Sequence, residues 1–245
     1  MTSAINLILF WILGTIAGSF ACCAADRIKR QQSFVKGRSK CDHCGHVLGI
    51  RDLIPIVSYL SLKGKCRYCS GKIESAALWS ELLSGGGFVL LAYQFGWNME
   101  TIQWAAVFTV LLMLSLVDLR SYIIPDCSIV SLIVIRGVLL PFSDHWQGLL
   151  MEGIYGGVVL FLLNYLMSRI LKHLLHQEVL GGGDLKLMFV MGLYLGSMRG
   201  CLALLVSCGG GLLFVCGMKK RRIPFGPCLA IGMMVVILLG ENVML

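Results

Sequence analysis

The chain has 245 residues, of which 57% are hydrophobic and only 14% are charged, and its formal net charge is +8. So little charge excludes an ordinary soluble domain of this length. Repeated long apolar runs, separated by short polar breaks, are typical of a polytopic helical membrane protein. The positive charge does not indicate nucleic acid as a partner, because the basic residues are grouped on one side of the predicted membrane topology.

About eight membrane-spanning helices are predicted, so the expected fold class is all-α. The predicted division is a first transmembrane helix at 1–25, a cytoplasmic zinc-binding loop at 26–76 and a helical core at 77–245. The sixth span is short, which fits a re-entrant or broken segment. The predicted spans are 4–24, 77–95, 102–118, 127–142, 150–168, 186–198, 201–217 and 227–244.

Basic residues set the predicted orientation, because cytoplasmic loops carry an excess of Lys and Arg. With the N-terminus outside, the inside segments contain 19 of the 21 Lys and Arg residues. The two exceptions are Arg136, within a predicted span, and Arg199, in an outside loop. The inside segments are 25–76, 119–126, 169–186 and 218–226.

The loop at 26–76 contains two CxxC pairs separated by 21 residues. A reducing cytosol disfavours disulfides, so four thiolates around a tetrahedral zinc ion are predicted. The basic residues of the loop also suit contact with anionic lipid headgroups. The predicted ligands are Cys41, Cys44, Cys66 and Cys69. His43 and His46 are possible substitute ligands. A bystander role is favoured for both, because four sulfur atoms already fill the coordination shell.

Two carboxylates are predicted to lie at the inner membrane surface. Asp118 ends the third span, and Asp184 follows Gly181–Gly183 just before the sixth. A carboxylate near membrane depth is costly unless it is paired or faces water, so it indicates a functional site. As a close pair, an ionised carboxylate takes a proton from water while a protonated one donates to a scissile carbonyl. Alone, Asp184 also fits a helix cap, and Asp118 fits an ion pair with Arg120.

The sequence leaves two further acids undecided. Asp126 follows Pro125 at the start of the fourth span, where an acid interacts favourably with the helix dipole. A structural or supporting role is therefore favoured for Asp126. Glu81 lies early in the second span, where it either turns outward to the membrane interface or faces the carboxylate site.

Glycines within the spans indicate close helix packing. They form a small-residue face in the first span and triplets in the second and seventh spans. These positions are Gly14, Gly18, Gly85–Gly87 and Gly209–Gly211.

The order of these motifs resembles the type IV prepilin peptidases, the GxGD class of membrane aspartyl proteases. Each motif alone is weak, but the complete order is specific and covers nearly the whole chain. One departure is Leu119-Arg120-Ser121-Tyr122, where the family commonly has a more polar or acidic segment. The matching residues are Gly18-Ser19-Phe20, Arg27, both CxxC pairs, Pro55-Ile56-Val57-Ser58-Tyr59, Gly64-Lys65-Cys66, Glu81, Asp118, Ile124-Pro125-Asp126, Gly181-x-Gly183-Asp184-x-Lys186 and Pro224-Phe225-Gly226-Pro227.

This resemblance implies an enzyme of the bacterial cytoplasmic (inner) membrane. It would cut the short basic leader from prepilins or pseudopilins at the cytoplasmic face, after a glycine. Many members then N-methylate the new N-terminal residue with S-adenosyl-L-methionine. By residue match, Asp118 and Asp184 would be the catalytic pair and the four loop cysteines the metal ligands. The methyl-donor site, the particular pilin-like substrate and the oligomeric state are left open.

Three other functions are weighed against the peptidase. An ion- or proton-coupled transporter with a regulatory zinc loop would place acids near mid-span, whereas these acids cluster at the inner edge. A pilus or secretion assembly factor would use the zinc loop only for docking. A related GxGD protease with another substrate would share the same chemistry.

Overall fold

The computed structural model describes residues 4–33, 37–143, 145–176, 180–218 and 224–240. The described part of the chain contains helices, loops and two isolated β-bridges, which confirms the predicted all-α class. Short 3-10 turns lie at Ile50–Asp52 and Leu140–Phe142. The helices are α1 Ala4–Lys29, α2 Val57–Ser61, α3 Ser75–Phe95, α4 Met99–Ser121, α5 Asp126–Leu139, α6 Trp146–Leu175, α7 Gly182–Met218 and α8 Gly226–Leu239.

By length and apolar composition, five of the described helices could cross a membrane: α1, α3, α4, α6 and residues Gly182–Val215 of α7, although the last of these is interrupted at Gly196. Helices α5 and α8 have 14 residues each. At 1.5 Å per residue each is about 21 Å long, less than the roughly 30 Å of a bilayer's hydrocarbon core. The predicted count of eight spans is therefore not confirmed.

The chain forms two compact units, residues Met1–Leu116 and Val117–Leu245. In the first unit α1 packs directly against α3. A Cβ atom on Gly14 would lie 2.6 Å from the Ser84 carbonyl oxygen, and one on Gly18 would meet the Ser80 carbonyl. The predicted small-residue face of the first span is thus confirmed. The predicted domain boundaries after residues 25 and 76 stay a prediction.

In the second unit the longest helix reverses direction at Gly196, which has a non-helical φ of 75° and ψ of −174°. A Cβ atom on Gly200 would lie 3.6 Å from the Cα of Gly192. Residues eight apart in a straight helix are separated by about 12 Å along the axis. Helix α7 therefore folds back into a first limb (182–195) and a second limb (197–218), which correspond to the sixth and seventh predicted spans.

Glycines of α6 allow it to lie directly against the first limb. A Cβ atom on Gly153 would meet Leu193 backbone atoms, and one on Gly157 would lie 2.9 Å from the Phe189 carbonyl oxygen. Because residue numbers rise along α6 as they fall along the first limb, the two helices are antiparallel. The end of α6 therefore lies beside the start of α7.

Some predicted glycine contacts are wrong. A Cβ atom would meet no neighbouring atom of the described residues within 4 Å at three positions: Gly86, Gly209 and Gly210. Gly87 and Gly211, in contrast, face aromatic rings. Successive residues of a helix point about 100° apart, so a triplet cannot direct all its members at one neighbour.

One end of the second unit collects the helix ends that carry the two predicted catalytic aspartates. The Gly226 N–H, at the start of α8, donates to Asp118 near the end of α4. Gly183, at the start of α7, lies next to Ile124. Three basic residues lie near the same end of the second unit: Arg169 and Lys172 near the end of α6, and Lys186 near the start of α7. The last basic cluster used for the predicted orientation lies outside the described residues: Lys219, Lys220, Arg221 and Arg222.

Candidate active site and metal centre

Asp118 and Asp184 line one cavity of about 230 Å³ in the second unit. The structure thus brings together the two predicted catalytic residues, which are far apart in the sequence. The remaining lining residues are Tyr122, Ile123, Ile124, Gly181, Gly182, Gly183 and Phe225. A cavity with two carboxylates and an accessible glycine backbone has the groups that hydrolysis of a peptide bond requires.

Asp118 is held by the start of α8. The residue is only 4% exposed, and its Oδ2 atom accepts a 2.8 Å hydrogen bond from the Gly226 N–H. The N-terminus of a helix stabilises negative charge. A Cβ atom on Gly226 would lie 2.8 Å from the same Oδ2 atom, so the contact requires glycine. This contact was not predicted, because the sequence pattern indicates only that Gly226 belongs to the Pro-Phe-Gly-Pro motif.

Asp184 lies in the first turn of α7, where its Oδ2 atom accepts a 3.3 Å hydrogen bond from the Gly181 N–H. Asp184 can therefore contact the backbone at the start of its helix and line the cavity at the same time. None of the three preceding glycines has a positive φ. Gly183 is needed for close packing, because a Cβ atom there would lie 3.0 Å from the Ile124 Cβ.

Asp126 does not line this cavity but forms a 2.6 Å ion pair with the Nζ atom of Lys186. The pair connects the start of α5 to the first turn of α7, two residues beyond Asp184. Both side chains are exposed, and exposed pairs contribute only about 0–1 kcal/mol to stability. The contact agrees with the supporting role favoured for Asp126.

The four predicted metal ligands form one cluster in the first unit. All their Sγ atoms lie within 4.8 Å of one another, and the Cys41 and Cys69 Sγ atoms are 3.8 Å apart. Sulfur atoms around a tetrahedral zinc ion at about 2.3 Å are about 3.8 Å apart. The cluster therefore fits a zinc ion. Backbone N–H groups of Cys44 and His43 lower the pKa of the Cys41 thiol to about 6, whereas the pKa of the Cys69 thiol in the same cluster is raised to about 12.

Each cysteine pair lies in a tight hairpin of the same design. In the first hairpin the Cys41 N–H donates to the His46 carbonyl, and the Gly45 N–H donates to the Cys41 carbonyl. In the second, the Cys66 N–H donates to the Gly71 carbonyl, and the Ser70 N–H donates to the Cys66 carbonyl. The residue with positive φ at the turn is Gly45 in the first hairpin (69°) and Ser70 in the second (57°). This repeated backbone geometry presents two sulfur atoms from each hairpin to the same point.

The two neighbouring histidines join the hairpins and lie outside the sulfur cluster. The His43 ring packs where a Cβ atom on Gly71 would lie, and its Nε2 atom is 3.3 Å from the Lys72 carbonyl oxygen. The His46 ring lies against that of Tyr68, with 3.6 Å between the ring centres. Both contacts agree with the expected bystander role.

Glu81, which the sequence left undecided, is buried in the first unit at 7% exposure. Its Oε2 atom accepts a 2.7 Å hydrogen bond from the Ile56 N–H. Glu81 also lines a second cavity, of about 440 Å³, formed by α1, the cysteine loop and α3. Within the first unit, the Glu81 carboxylate therefore turns to the loop.

Comparison with known proteins supplies the family. Residues 12–95 match the Bacterial Peptidase A24 N-terminal domain, and residues 105–217 match the Type IV leader peptidase family. The Prepilin leader peptidase/N-methyltransferase of Bacillus subtilis (strain 168) is 28% identical over 246 residues, which cover 97% of this chain and 96% of that protein.

Two further relatives give the same result. The Type 4 prepilin-like proteins leader peptide-processing enzyme of Escherichia coli O78:H11 is 31% identical, over 84% of this chain and 77% of that protein. The Prepilin leader peptidase/N-methyltransferase of Neisseria gonorrhoeae is 29% identical, over 89% of this chain and 77% of that protein. No solved structure matches. With both halves matched, in order and over nearly its full length, the chain belongs to the type IV leader peptidase family.

Proposed function

We propose that this chain is a membrane aspartic endopeptidase that removes the leader peptide from prepilins or pseudopilins. The observation that carries the proposal is the cavity shared by Asp118 and Asp184. The names of the relatives supply the substrate class, since those proteins process the leaders of prepilin-like proteins.

In the proposed reaction one of the two carboxylates is ionised and takes a proton from the attacking water. The other is protonated and donates to the carbonyl oxygen of the bond being cut. The Gly226 N–H orients Asp118 for this work. Gly182 leaves its side of the cavity open, because a Cβ atom there would meet nothing within 4 Å among the described residues. A substrate backbone can therefore approach Asp184 closely.

The cavity is proposed to open at the cytoplasmic face of the inner membrane. Arg169 and Lys172 lie at the same end of the second unit as the aspartates, and basic residues mark cytoplasmic helix ends. In this orientation the N-terminus is outside, and the cysteine loop is on the cytoplasmic side. The substrate's apolar helix would remain in the membrane while its leader reaches the carboxylates from the cytosol.

The transporter alternative is not supported. A proton or cation pathway places its acids near the middle of the membrane. Asp118 and Asp184 lie at helix ends instead, and the relatives are named as leader peptidases. The docking-factor alternative is distinguished by whether the chain cuts a substrate.

Cleavage of a prepilin-like reporter in membranes tests the proposal. We expect membranes that contain the chain to shorten the reporter by its leader. Replacing the glycine before the cut with valine is expected to reduce cleavage roughly 100-fold, because a branched side chain displaces the peptide bond from the carboxylates. Immunoblotting and mass spectrometry of the product measure the cut. A reporter cut at the same rate in membranes without the chain would contradict the proposal.

Zinc held by Cys41, Cys44, Cys66 and Cys69 is proposed to be structural. Four sulfur ligands leave no open position for water, so the ion would supply binding energy to the loop and no chemistry to the cut. It would join the two cysteine hairpins at their tips.

Metal analysis of the purified chain is expected to find about one zinc ion per molecule, as a closed four-cysteine site requires. Substitution of the buried ligand, Cys66→Ser, should remove most of the zinc and make the remaining three loop thiols reactive to alkylation. Cys208→Ser, at an exposed cysteine of α7, is the matched control and should retain the metal. Less than one equivalent of zinc, with all four loop thiols freely alkylated, would contradict the site.

N-methylation of the newly exposed N-terminus is the second activity proposed for the chain. Two of the relatives compared above carry N-methyltransferase in their names. The methyl donor would be S-adenosyl-L-methionine, which supplies an electrophilic methyl group on a sulfonium ion.

A further inference from the structure

The second cavity lies wholly within the first unit and has the size of a small-molecule site. Its volume is about 440 Å³, within the range of roughly 300–1,000 Å³ usual for ligand pockets. Helix α1 contributes one face, α2 a second and α3 a third. The residues from these helices are Ser19, Cys22, Asp26, Ser58, Tyr59, Ala77, Leu78 and Glu81, and the rest of the lining comes from the cysteine loop, including Cys41 and Cys66.

Glu81 gives this cavity a buried negative charge. Among the described residues, the Ile56 N–H is the only hydrogen-bond partner of the carboxylate, and no Lys or Arg forms an ion pair with it. A buried carboxylate is costly unless a cation balances it. The cavity is therefore suited to a ligand that brings a positive charge.

Of the other four carboxylates of the cavity, Asp42 and Asp52 are balanced by arginine, and Asp26 and Glu74 have interactions of their own. Asp42 forms a 2.6 Å ion pair with Arg30, and Asp52 forms a 2.7 Å ion pair with Arg67. The Arg67 side chain also lowers the pKa of Asp52, mainly through their hydrogen bond. These pairs leave Glu81, on the α3 side, as the carboxylate best placed to meet a cationic ligand. An apolar wall from Leu62, Ala77 and Leu78 suits the remainder of that ligand.

Glu81 also fixes a strained turn next to the cavity, between the lining residues Leu53 and Ser58. Ile56 has φ 61° and ψ −52°, and the Val57 N–H donates to the Pro55 carbonyl across it. This is a γ-turn with positive φ, a rare and strained conformation for a β-branched residue. Strained backbone persists where surrounding contacts hold it, often at ligand sites. The hydrogen bond from Ile56 to Glu81 is such a contact.

We propose that this cavity binds the methyl donor, a sulfonium nucleoside, with the Glu81 carboxylate as the counter-charge of its cation. The inference rests on the proposed N-methyltransferase function and adds the site. In the transfer, the lone pair of the substrate's neutral amine forms a bond to the methyl carbon. The carbon–sulfur bond breaks with its electron pair left on sulfur, and the amine then releases one proton to solvent.

Binding of two ligands that differ in charge tests the proposal. The probes are S-adenosyl-L-methionine, which carries the sulfonium, and S-adenosyl-L-homocysteine, a neutral thioether at the same position. Equilibrium dialysis with the full purified chain measures both Kd values. We expect Glu81→Gln to weaken binding of the sulfonium roughly tenfold or more and of the thioether much less, because only the first loses a charge partner. Glu152→Gln, an exposed acid of the second unit, should change neither Kd.

A second variant tests whether filling the cavity, without changing its charge, weakens the binding of both ligands. Ala77→Phe fills the cavity without altering its charge, so it should weaken both ligands to a similar degree. Zinc content and elution as a single species show whether each variant is folded. If Glu81→Gln weakens both ligands equally, its role is only to hold the loop, and the counter-charge proposal is wrong.

The outcomes also distinguish a failure of the proposed methyl-donor site from a failure of the proposed N-methyltransferase function. If the wild-type chain methylates its product while Glu81→Gln and Ala77→Phe retain the wild-type KM for the donor, the methyltransferase function stands and the cavity assignment is overturned. If the wild-type chain cuts its substrate but neither binds nor uses the donor, the methyltransferase function fails and this inference fails with it.

Discussion

Asp118→Asn and Asp184→Asn are each expected to abolish cleavage of a prepilin-like reporter. Each substitution removes one carboxylate from the shared cavity, and an amide can neither take the proton from water nor donate as a carboxylic acid does. Because catalytic groups act as a unit, either change alone should reduce the rate by about 1,000-fold or more, nearly as much as both together. Initial cleavage rates in membranes, normalised to the amount of inserted protein, measure the effect.

Asp126→Asn is the matched control for this experiment. Asp126 is a third carboxylate at the same end of the second unit, yet it pairs with Lys186 and does not line the cavity. It should therefore retain cleavage within a few-fold of the wild-type rate, since an exposed ion pair contributes little. Normal cleavage by both Asp118→Asn and Asp184→Asn would show that the Gly-Gly-Gly-Asp stretch is only a turn and helix cap.

Gly226→Val should also disable the peptidase, although glycine has no side chain to take part in chemistry. A Cβ atom on residue 226 would lie 2.8 Å from Oδ2 and 3.2 Å from Cγ of Asp118. The carboxylate must move, and a displacement of about 1 Å from a productive position costs on the order of 100-fold in rate. A cleavage assay at saturating reporter should show the loss in kcat.

Gly210→Val separates this local effect from a general intolerance of valine for glycine. Gly210 lies in the second limb of α7, and a Cβ atom there would meet nothing within 4 Å among the described residues. Its substitution should leave cleavage close to the wild-type rate. If Gly226→Val cuts as fast as Gly210→Val, the contact between α8 and Asp118 does not position the carboxylate.

Sequence patterns were sufficient to predict the aspartate pair and the cysteine cluster. The distribution of basic residues assigned Asp118 and Asp184 to the same membrane face, and the structure places them in one cavity. The CxxC spacing predicted a four-sulfur cluster because two sulfur atoms of each tight hairpin point to one side. Both predictions depend on local spacing or on a global charge rule, which a single sequence contains.

Contacts between distant segments were not predictable in this way. Nothing in the sequence near Gly226 indicates that its N–H meets Asp118, since the two lie on helices that are far apart in the chain. The position of Glu81 was undecided for the same reason, because its partner is the backbone of Ile56 in a strained turn. The count of spans is not confirmed, because α5 and α8 have only 14 residues each. The apolar composition of a segment does not predict the length of its helix.

The short helices of the second unit have a consequence for the surrounding lipid. Helices α5 and α8 and the first limb of α7 each have 14 residues, a length of about 21 Å. Local thinning of the bilayer is one response to such a hydrophobic mismatch, and we expect it around these segments. Asp118 and Asp184 lie where two of these three segments begin. Thinned lipid brings the aqueous phase towards the carboxylates, so the water consumed in hydrolysis need not cross the hydrocarbon core.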